Sequence, residues 1–453
     1  MKTDRRSFLA GAGALLAGRV FAGGAGGQPK LTMGVVSDIH IENRGMPDEL
    51  YVYGADTVFR KTLRYFRERK VDVVVIAGDM ANRGRFDQLK IVADDWKEVF
   101  PGNRGIGGMT VEPFFIYGNH DVAKWNNKDT DDLIMTDPGD AWKRAFGWDW
   151  SPVQVKTVKG YTFIGAHWGH EKEVIDYLEK HRDELKGTKP FFHVQHHHLA
   201  GTVHGGGGDP DVRKALTSFP NAVTFGGHSH WPLADEGSVW QGEFTAFGTS
   251  SLAYLWLPPG CVDGHGNDPK APMPWGSDLG KDAMIVEVHD GFLSVERRQM
   301  VDDEEIAGTR IVPVPVRQGA DDAQDFETQK ARASEPEFPA GAMLVEWREQ
   351  GTSRNGAVQN QVVLEFPSAK PGKGNGRALR YFVEVAAPGE DKPVFSAYYL
   401  APNFFRNPRR FPAKVTLRIA VASLPYGKTL TYRVRPENCW GMRGAPLETT
   451  VAV

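Results

Sequence analysis

From Leu31 to about Val301 the chain alternates between two hydrophobic patterns. Val71–Ala77 (VDVVVIA) is a nearly continuous β-branched run, the form of a strand covered on both faces. The segments PFFIYGNH, YTFIGAH, PFFHVQHHH and NAVTFGGHSH repeat it, each a short apolar run that ends in glycine or polar residues. Between them, apolar positions fall at helical spacing. Thr57–Lys70 sets Val58, Leu63 and Phe66 among Arg and Lys, and Asp87–Phe100 does the same with Leu89, Val92, Trp96 and Val99. Glu171–Leu185 and Asp209–Leu216 are shorter helix candidates. Strands alternating with helices predict an α/β domain.

The pattern changes near Asp302. DDEEIAG and then VRQGADDAQDFETQKARASEPEFP are charged and poor in aromatics, which reads as a linker. From Gly341 the runs AMLVEW, QVVLEF, RYFVEVAA, KVTLRIAVA and LTYRVRP are rich in β-formers and separated by Gly and Pro turns. These predict an all-β unit of roughly 100 residues, the size of one β-sandwich. YRVRPENCWG at Tyr432–Gly441 resembles the end of a fibronectin type III module, and that resemblance implies a buried tryptophan on an early strand, here Trp347. The expected organisation is a leader over 1–22, a catalytic domain over 28–305, a linker over 306–335 and a fibronectin-like sandwich over 336–453.

The start, MKTDRRSFLAGAGALLAGRVFAGGAGG, has a basic end, a modest apolar stretch and small residues after it. Leu9–Ala17 is too short to span a bilayer, which takes ~20 residues. Arg5–Arg6 followed by Ser7, Phe8 and Leu9 resembles a bacterial twin-arginine signal, with Val20-Phe21-Ala22 placed for cleavage after Ala22. The resemblance implies a protein that is periplasmic or secreted. No other stretch reads as a membrane span. The formal net charge of −3 over 453 residues gives no reason to expect nucleic acid as a partner. Cys261 and Cys439 are the two cysteines and fit no zinc-ligand spacing; whether they pair depends on how closely their Cα atoms approach.

The chemistry lies at the strand ends. In chain order come Asp38 and His40, then Gly78-Asp79, then Gly118-Asn119-His120-Asp121, then His196-His197-His198, then Gly227-His228-Ser229-His230. Each group follows a strand-like run, and in an open α/β sheet functional groups gather at the carboxyl ends of strands. Singly each piece is bland: Asp38 could cap a helix, and Gly118-Asn119 could mark a turn. Together they supply carboxylate, imidazole and amide donors with no thiolate, a set suited to first-row metals.

In order and content, D-x-H, G-D, G-N-H-D, a strand-end histidine and G-H-x-H resemble the calcineurin-like metallophosphoesterase family over roughly residues 30 to 300. The resemblance implies a four-layer αββα core and two metal ions, divalent or mixed-valence (Mn, Zn or Fe). By it, Asp38, His40 and His230 would hold one ion and Asn119, His197 and His228 the other, with Asp79 bridging. His120 would donate a proton to the leaving oxygen, and Asp121 would orient His120. For the histidine run, the family's His-x-Pro form places Leu199 at the proline position and so points to His197, with His196 as the alternative. Asn82 stands where purple acid phosphatases carry an iron-binding tyrosine, so a tyrosinate–iron centre is not expected. The implied activity is hydrolysis of a phosphate mono- or diester by metal-activated hydroxide. A phosphodiesterase specific for nucleotides or for lipid or glycan headgroups is the alternative within that class, and a binding protein with a vestigial site is the alternative outside it.

Loop residues complete the reading. Arg83 in RGRF and His204 in HGGGGD are candidate substrate contacts, since arginine can pair with a phosphate oxygen. His198 is expected to face substrate or solvent. His167, His170, Trp125, Trp168, Trp231 and Trp240 could line the site or serve packing, and RNPRRFPAK at Arg406–Lys414 reads as a solvated basic edge.

Overall fold

The structure is a computed structural model of the chain. It describes residues 27–42, 56–122, 135, 137–258, 260–262, 280–317, 319–352, 358–425 and 427–452. The leader expected over 1–22, and Trp125, lie outside the described residues.

The first half runs β1 (Leu31–Val36), α1 (Asp56–Glu68), β2 (Val73–Ala77), α2 (Phe86–Val99), β3 (Glu112–Ile116) and α3 (Pro138–Phe146). It continues with β4 (Val153–Val158), β5 (Tyr161–Ala166), α4 (Glu171–Lys180), α5 (Arg182–Leu185), β6 (Phe191–His197), α6 (Pro210–Leu216), β7 (Ala222–Gly227), β8 (Val239–Gln241) and β9 (Thr245–Gly248). Then follow β10 (Asp282–His289), β11 (Phe292–Gln299), β12 (Glu304–Glu305), β13 (Arg310–Pro313) and α7 (Phe326–Arg332). One sheet has the order β12-β11-β10-β1-β2-β3, with β13 also on β11. The other has the order β4-β5-β6-β7-β9-β8. The central pairs β1–β2–β3 and β5–β6–β7–β9 are parallel.

Alternation along each strand explains the layers. In β2, Val73, Val75 and Ala77 face a core shared with Phe163, Phe192, Val194, Val223 and Phe225 of the second sheet. Val74 and Ile76 face outward onto Val58, Leu63 and Phe66 of α1 and Leu89, Val92 and Trp96 of α2. Ile164 and Ala166 of β5 face Val174 and Leu178 of α4 and Val212 and Leu216 of α6. Two sheets packed face to face with helices outside each make four layers. This packing brings the carboxyl ends of the parallel strands to one edge, because parallel strands all end on the same side.

The segment expected as a linker over 306–335 is part of this domain. β13 pairs with β11 from Phe292↔Pro313 to Val295↔Arg310, and Gln329 on α7 donates to the Val239 carbonyl at 2.7 Å. One of its charges is partnered inside the protein: Arg310 binds the buried Glu236, which Arg297 of β11 also binds.

The last part is strand-rich: β14 (Val345–Thr352), β15 (Val358–Pro367), β16 (Arg380–Ala386), β17 (Phe395–Leu400), β18 (Lys414–Ala420), β19 (Thr429–Glu437) and β20 (Leu447–Ala452). Three strands, β14-β15-β18, form one sheet and four, β17-β16-β19-β20, the other. Trp347 is not the buried aromatic expected; it is 36% exposed on the edge strand β14, and Phe366, Tyr381 and Tyr432 fill the core instead. The RNPRRFPAK stretch is exposed at Arg409, Arg410 and Lys414, as a solvated basic edge would be, but it is also tied to the α/β part. Arg409 and Arg410 pair with Glu304 and Arg406 with Asp302, and the Asn407 amide donates to the Glu305 carbonyl at 2.8 Å. The buried Arg377 donates to the Ile306 carbonyl at 2.8 Å and to the Phe404 and Arg406 carbonyls at 2.7 Å. These bonds fasten the strand-rich part to the α/β part. Cys261 and Cys439 are not joined in a disulfide.

Candidate metal centre

The site forms where β1, β2, β3, β6 and β7 end. Beyond each strand the chain turns at once, and the turns are unusual. Asp38, His40, Asp79, His228 and His230 all have positive φ, between 49° and 66°. Such a conformation costs about 1–3 kcal/mol per non-glycine residue and persists only where surroundings force it. The glycines of the motifs make room for these donors. A Cβ on Gly118 would lie 2.2 Å from Asp79 Oδ1, and one on Gly78, whose φ is +90°, would lie 2.4 Å from His196 Nδ1.

Two lobes of donors meet around Asp79. In one lobe, His230 Nε2 lies 3.0 Å from Asp38 Oδ1 and 3.1 Å from His40 Nε2. In the other, Asn119 Oδ1 lies 3.0 Å from His196 Nε2 and 2.9 Å from His228 Nδ1. Asp79 Oδ2 stands between them, 3.7 Å from His40 Nε2 and 3.1 Å from His196 Nε2. Ligands at ~2.0–2.1 Å from one ion stand roughly 2.8–3.4 Å apart in octahedral or tetrahedral order, so all of these spacings except the longer one from Asp79 to His40 are those of neighbours around a cation.

The far nitrogens fix the tautomers. Nδ1 of His196 faces the Ala77 carbonyl at 2.8 Å, Nδ1 of His230 faces the Tyr254 carbonyl at 2.9 Å, and Nδ1 of His40 faces Asn82 Oδ1 at 3.1 Å. An acceptor there keeps the hydrogen on Nδ1 and leaves the Nε2 lone pair pointing inward, the usual support for a metal-binding histidine. All of Asp38, His40, Asp79, Asn119 and His196 are buried.

Electrostatics call for positive charge at the centre. Burial would raise Asp79, yet the charge of His196 beside it holds it down at about 2. Burial would lower His196, yet Asp79 and Asp38 hold its imidazole up at about 10. Burial pulls His40 down to about 3, and burial with the charge of His196 takes His228 to about 3 as well. In the bare side-chain cluster His196 is thus an imidazolium that offsets only one of the two carboxylate charges, and a cation at that point would take the place of its Nε2 proton and free the lone pair.

The histidine of the second lobe is His196 rather than His197. Phe192 and Val194 face the first sheet, and alternation carries that face to residue 196. The β6–β7 pairing then slips, from Gln195↔Gly226 to His197↔Gly227, so His196 is the extra residue and its ring is aimed inward. His197 is half-buried at the rim, its ring 4.8 Å from that of His228. His198 is buried and binds the Gly206 carbonyl at 2.7 Å, holding the glycine loop rather than facing substrate or solvent.

His120 lies beside the cluster, its ring edge-on to His40 at 4.6 Å, with Nδ1 2.8 Å from the Asn82 carbonyl. Its orientation therefore comes from Asn82. Asp121 does something other than expected: it accepts from the backbone N–H groups of Gly118 (2.8 Å), Ala81 (2.6 Å) and Met80 (3.2 Å), tying the Asp79 turn to the Asn119 turn. Arg83 is at the rim with Nε on Glu42 at 3.1 Å. His204 is not at the site. It pairs with Asp235 at 2.9 Å, and its ring lies 4.8 Å from those of Phe326 and Trp440, at the seam with the strand-rich part. His167 is buried between the Tyr117 N–H and Gln154, and His170 pairs with Glu173.

Sequence reasoning passed over three supports. Asn82 was noted only as a missing tyrosine, yet it holds both His40 and His120. Ser37 and the GTSS run over 248–251 buttress Asp38: Ser37 Oγ reaches Thr249 Oγ1 at 2.7 Å, and Ser251 Oγ donates to the Asp38 carbonyl at 3.0 Å. Tyr254 packs on His230 at 4.3 Å. The only sequence signal for this group is a run of small hydroxyl residues directly after a strand.

A four-layer α/β fold with this cluster at its strand ends defines a class. Residues 31–232 match the family model of the calcineurin-like phosphoesterases, so the chain carries a calcineurin-like phosphoesterase domain. No curated protein matches the chain. Among solved structures, a dimetal phosphatase from Danio rerio is similar at 10% identity over 62% of this chain and 99% of that one, with a TM-score of 0.36. The purple acid phosphatase PPD1 from yellow lupin (Lupinus luteus) seeds is similar at 12% identity over 64% of this chain and 55% of that one, with a TM-score of 0.41. A conserved Streptococcus pneumoniae protein described as a predicted phosphoesterase is similar at 14% identity over 62% of this chain and 97% of that one, with a TM-score of 0.28. These likenesses are distant, and the site chemistry is read from this chain's own residues.

Proposed function

We propose that the protein is a binuclear metal-dependent phosphoesterase that hydrolyses a phosphate mono- or diester. Asp38, His40, Asp79 and His230 would hold one ion, and Asp79, Asn119, His196 and His228 the other. The observation that carries the reading is the convergence of three Nε2 lone pairs, each fixed by an acceptor behind its ring, on two buried carboxylates. A vestigial site would have no reason to keep five donors in strained turns.

Two cations bound there supply a clamp on the phosphoryl oxygens and a water acidified enough to act as nucleophile near neutral pH. The chain does the rest. Asp121 fixes the two turns that carry Asp79 and Asn119, so the donors need no rearrangement as charge develops. His120, with its Nδ1–H on the Asn82 carbonyl, is set to pass the Nε2 proton to the leaving oxygen. Manganese, zinc and iron all suit the donor set.

The leader is part of the proposal: Arg5–Arg6 and the short apolar stretch after them support twin-arginine export to the periplasm or beyond. The strand-rich part, with sheets of three and four strands, is proposed to be a fibronectin type III-like sandwich that braces the catalytic domain.

The test is turnover of mono- and bis-para-nitrophenyl phosphate by protein loaded with Mn, Zn or Fe, beside Asp79→Asn. Wild-type turnover that tracks metal content and is lost in the variant supports the reading, and the rate ratio for the two esters separates monoesterase from diesterase. Full metal loading without turnover of either ester would overturn it.

A further inference from the structure

Beside the metal centre opens a groove of about 1060 Å³ between α4 and α6. It starts at the rim, where His197 and Trp168 stand, and reaches Phe219 past the end of α6. The Trp168 ring lies 5.8 Å from His196, 6.0 Å from His197 and 5.7 Å from His228. It packs into none of the three apolar cores, so core packing does not explain a tryptophan there. It is placed instead as a partly exposed face where the donor cluster meets the groove.

The rest of the groove has two textures. Its floor is apolar, with Ile175 and Leu178 from α4 and Ala215 from α6. Its walls are charged, and carboxylates outnumber cations five to three. Several of these charges are spent on local bonds: Asp209 caps α6, and Asp176 pairs with Lys172. Among the described residues, Glu179, Asp211 and Lys214 have side chains with no hydrogen bond or ion pair to another residue.

We propose that the α4–α6 groove is the leaving-group subsite and that it takes the phosphate ester of a carbohydrate or comparable polyol. The proposal rests on the phosphoesterase reading above and names its substrate class. A sugar ring has an apolar C–H face and a rim of hydroxyls. The face suits an indole and an aliphatic floor; the rim suits carboxylates and ammonium groups that both accept and donate. The surplus of carboxylates disfavours a leaving group with further phosphates, since like charges repel at close range. The volume is just above the ~300–1,000 Å³ typical of ligand sites, room for more than one ring. Trp168 is then a specificity residue, and Glu179 contributes to charge selection.

The experiment measures kcat/KM of the metal-loaded full chain on a matched set: methyl phosphate, glucose 1-phosphate, maltose 1-phosphate and uridine diphosphate, with the methyl diesters in parallel. Each is repeated with Trp168→Ala, Trp168→Phe and Glu179→Lys. Expected is a maltosyl-to-methyl ratio that falls about tenfold in Trp168→Ala, through KM, and recovers in part in Trp168→Phe. Glu179→Lys should raise uridine diphosphate relative to maltosyl phosphate. If the ratios stay within twofold of wild type in both Trp168→Ala and Glu179→Lys, the groove proposal is overturned while the hydrolase reading stands. If a wild type with two metals bound turns over none of the esters, the hydrolase reading falls and this proposal falls with it.

Discussion

Gly118→Ala offers the sharpest local test of how the motif glycines act. The backbone of Gly118, at φ −101° and ψ −172°, is one that alanine adopts without strain, so the effect of the change is steric. The new Cβ would stand 2.2 Å from Asp79 Oδ1, 2.5 Å from the Asp79 nitrogen and 2.8 Å from His196 Cγ. Ordinary contact begins at 3.4 Å, so the Asp79 carboxylate must move by about 1.2 Å. Asp79 is buried and its turn is tied by Asp121, which leaves the strain little room to relax. Overpacking of this kind costs about 1–3 kcal/mol of stability. A shift of ~1 Å in a positioned group costs about 10²-fold in rate. The assay pairs urea unfolding with metal content by mass spectrometry and turnover of para-nitrophenyl phosphate. The expected result is a folded variant, modestly less stable, with less than two metals per chain and at least about 10²-fold lower kcat/KM. A Gly118→Ala protein that keeps two metals and turns over within about threefold of wild type would refute the reasoning, because a clash this close cannot leave the bridging carboxylate in place.

Three further outcomes follow from particular contacts. His196→Ala should lose metal from the second lobe and His197→Ala should not, read as metals per chain after gel filtration; loss in His197→Ala with none in His196→Ala would return the assignment to His197. Asn82→Ala removes the acceptor behind His40 while keeping the carbonyl behind His120, so metal affinity should fall about 10–100-fold, measured by competition with a chelating dye, and unchanged affinity would count against the orienting role. Glu236→Gln concerns the seam between the two parts of the chain. Burial would raise Glu236, but Arg297 and Arg310 hold it down at about 2. A carboxylate depressed in the folded state contributes stability that is present above its unfolded value near 4.5 and lost as pH falls toward about 2. The variant should be less stable by about 3 kcal/mol at pH 7, and its urea midpoint should change less than wild type between pH 5 and 2.5. A variant whose midpoint falls as steeply as wild type would assign the acid sensitivity elsewhere.

Much of the fold was written in local patterns. Val73–Ala77 and the helical spacing of Val58, Leu63 and Phe66 each report their own surroundings, and the structure has strand and helix there. The donors were legible because each one follows a strand, so the topology that gathers strand ends gathers them too. His196 and His197 were not separable by counting from Leu199, since the slip in β6–β7 pairing depends on the neighbouring strand. Continuing the alternation of Phe192 and Val194 would have found His196. The segment after Asp302 misled for a related reason. Charge reads as solvent exposure when its partners are unknown, but the partner of Arg310 is Glu236, and the partner of Glu304 comes from Arg409 and Arg410. Trp347 failed as a core marker because the fibronectin resemblance rests on Tyr432–Gly441, which says nothing of whether the strand that carries Trp347 is central or at an edge.

The central claim is that two cations sit on either side of Asp79. The direct measurement is anomalous diffraction from crystals of the wild-type chain loaded with manganese or zinc. The account predicts two peaks about 3.5–4 Å apart, one flanked by Asp38, His40 and His230 and the other by Asn119, His196 and His228, with Asp79 touching both. A single peak, or none in protein that hydrolyses phosphate esters, would contradict it.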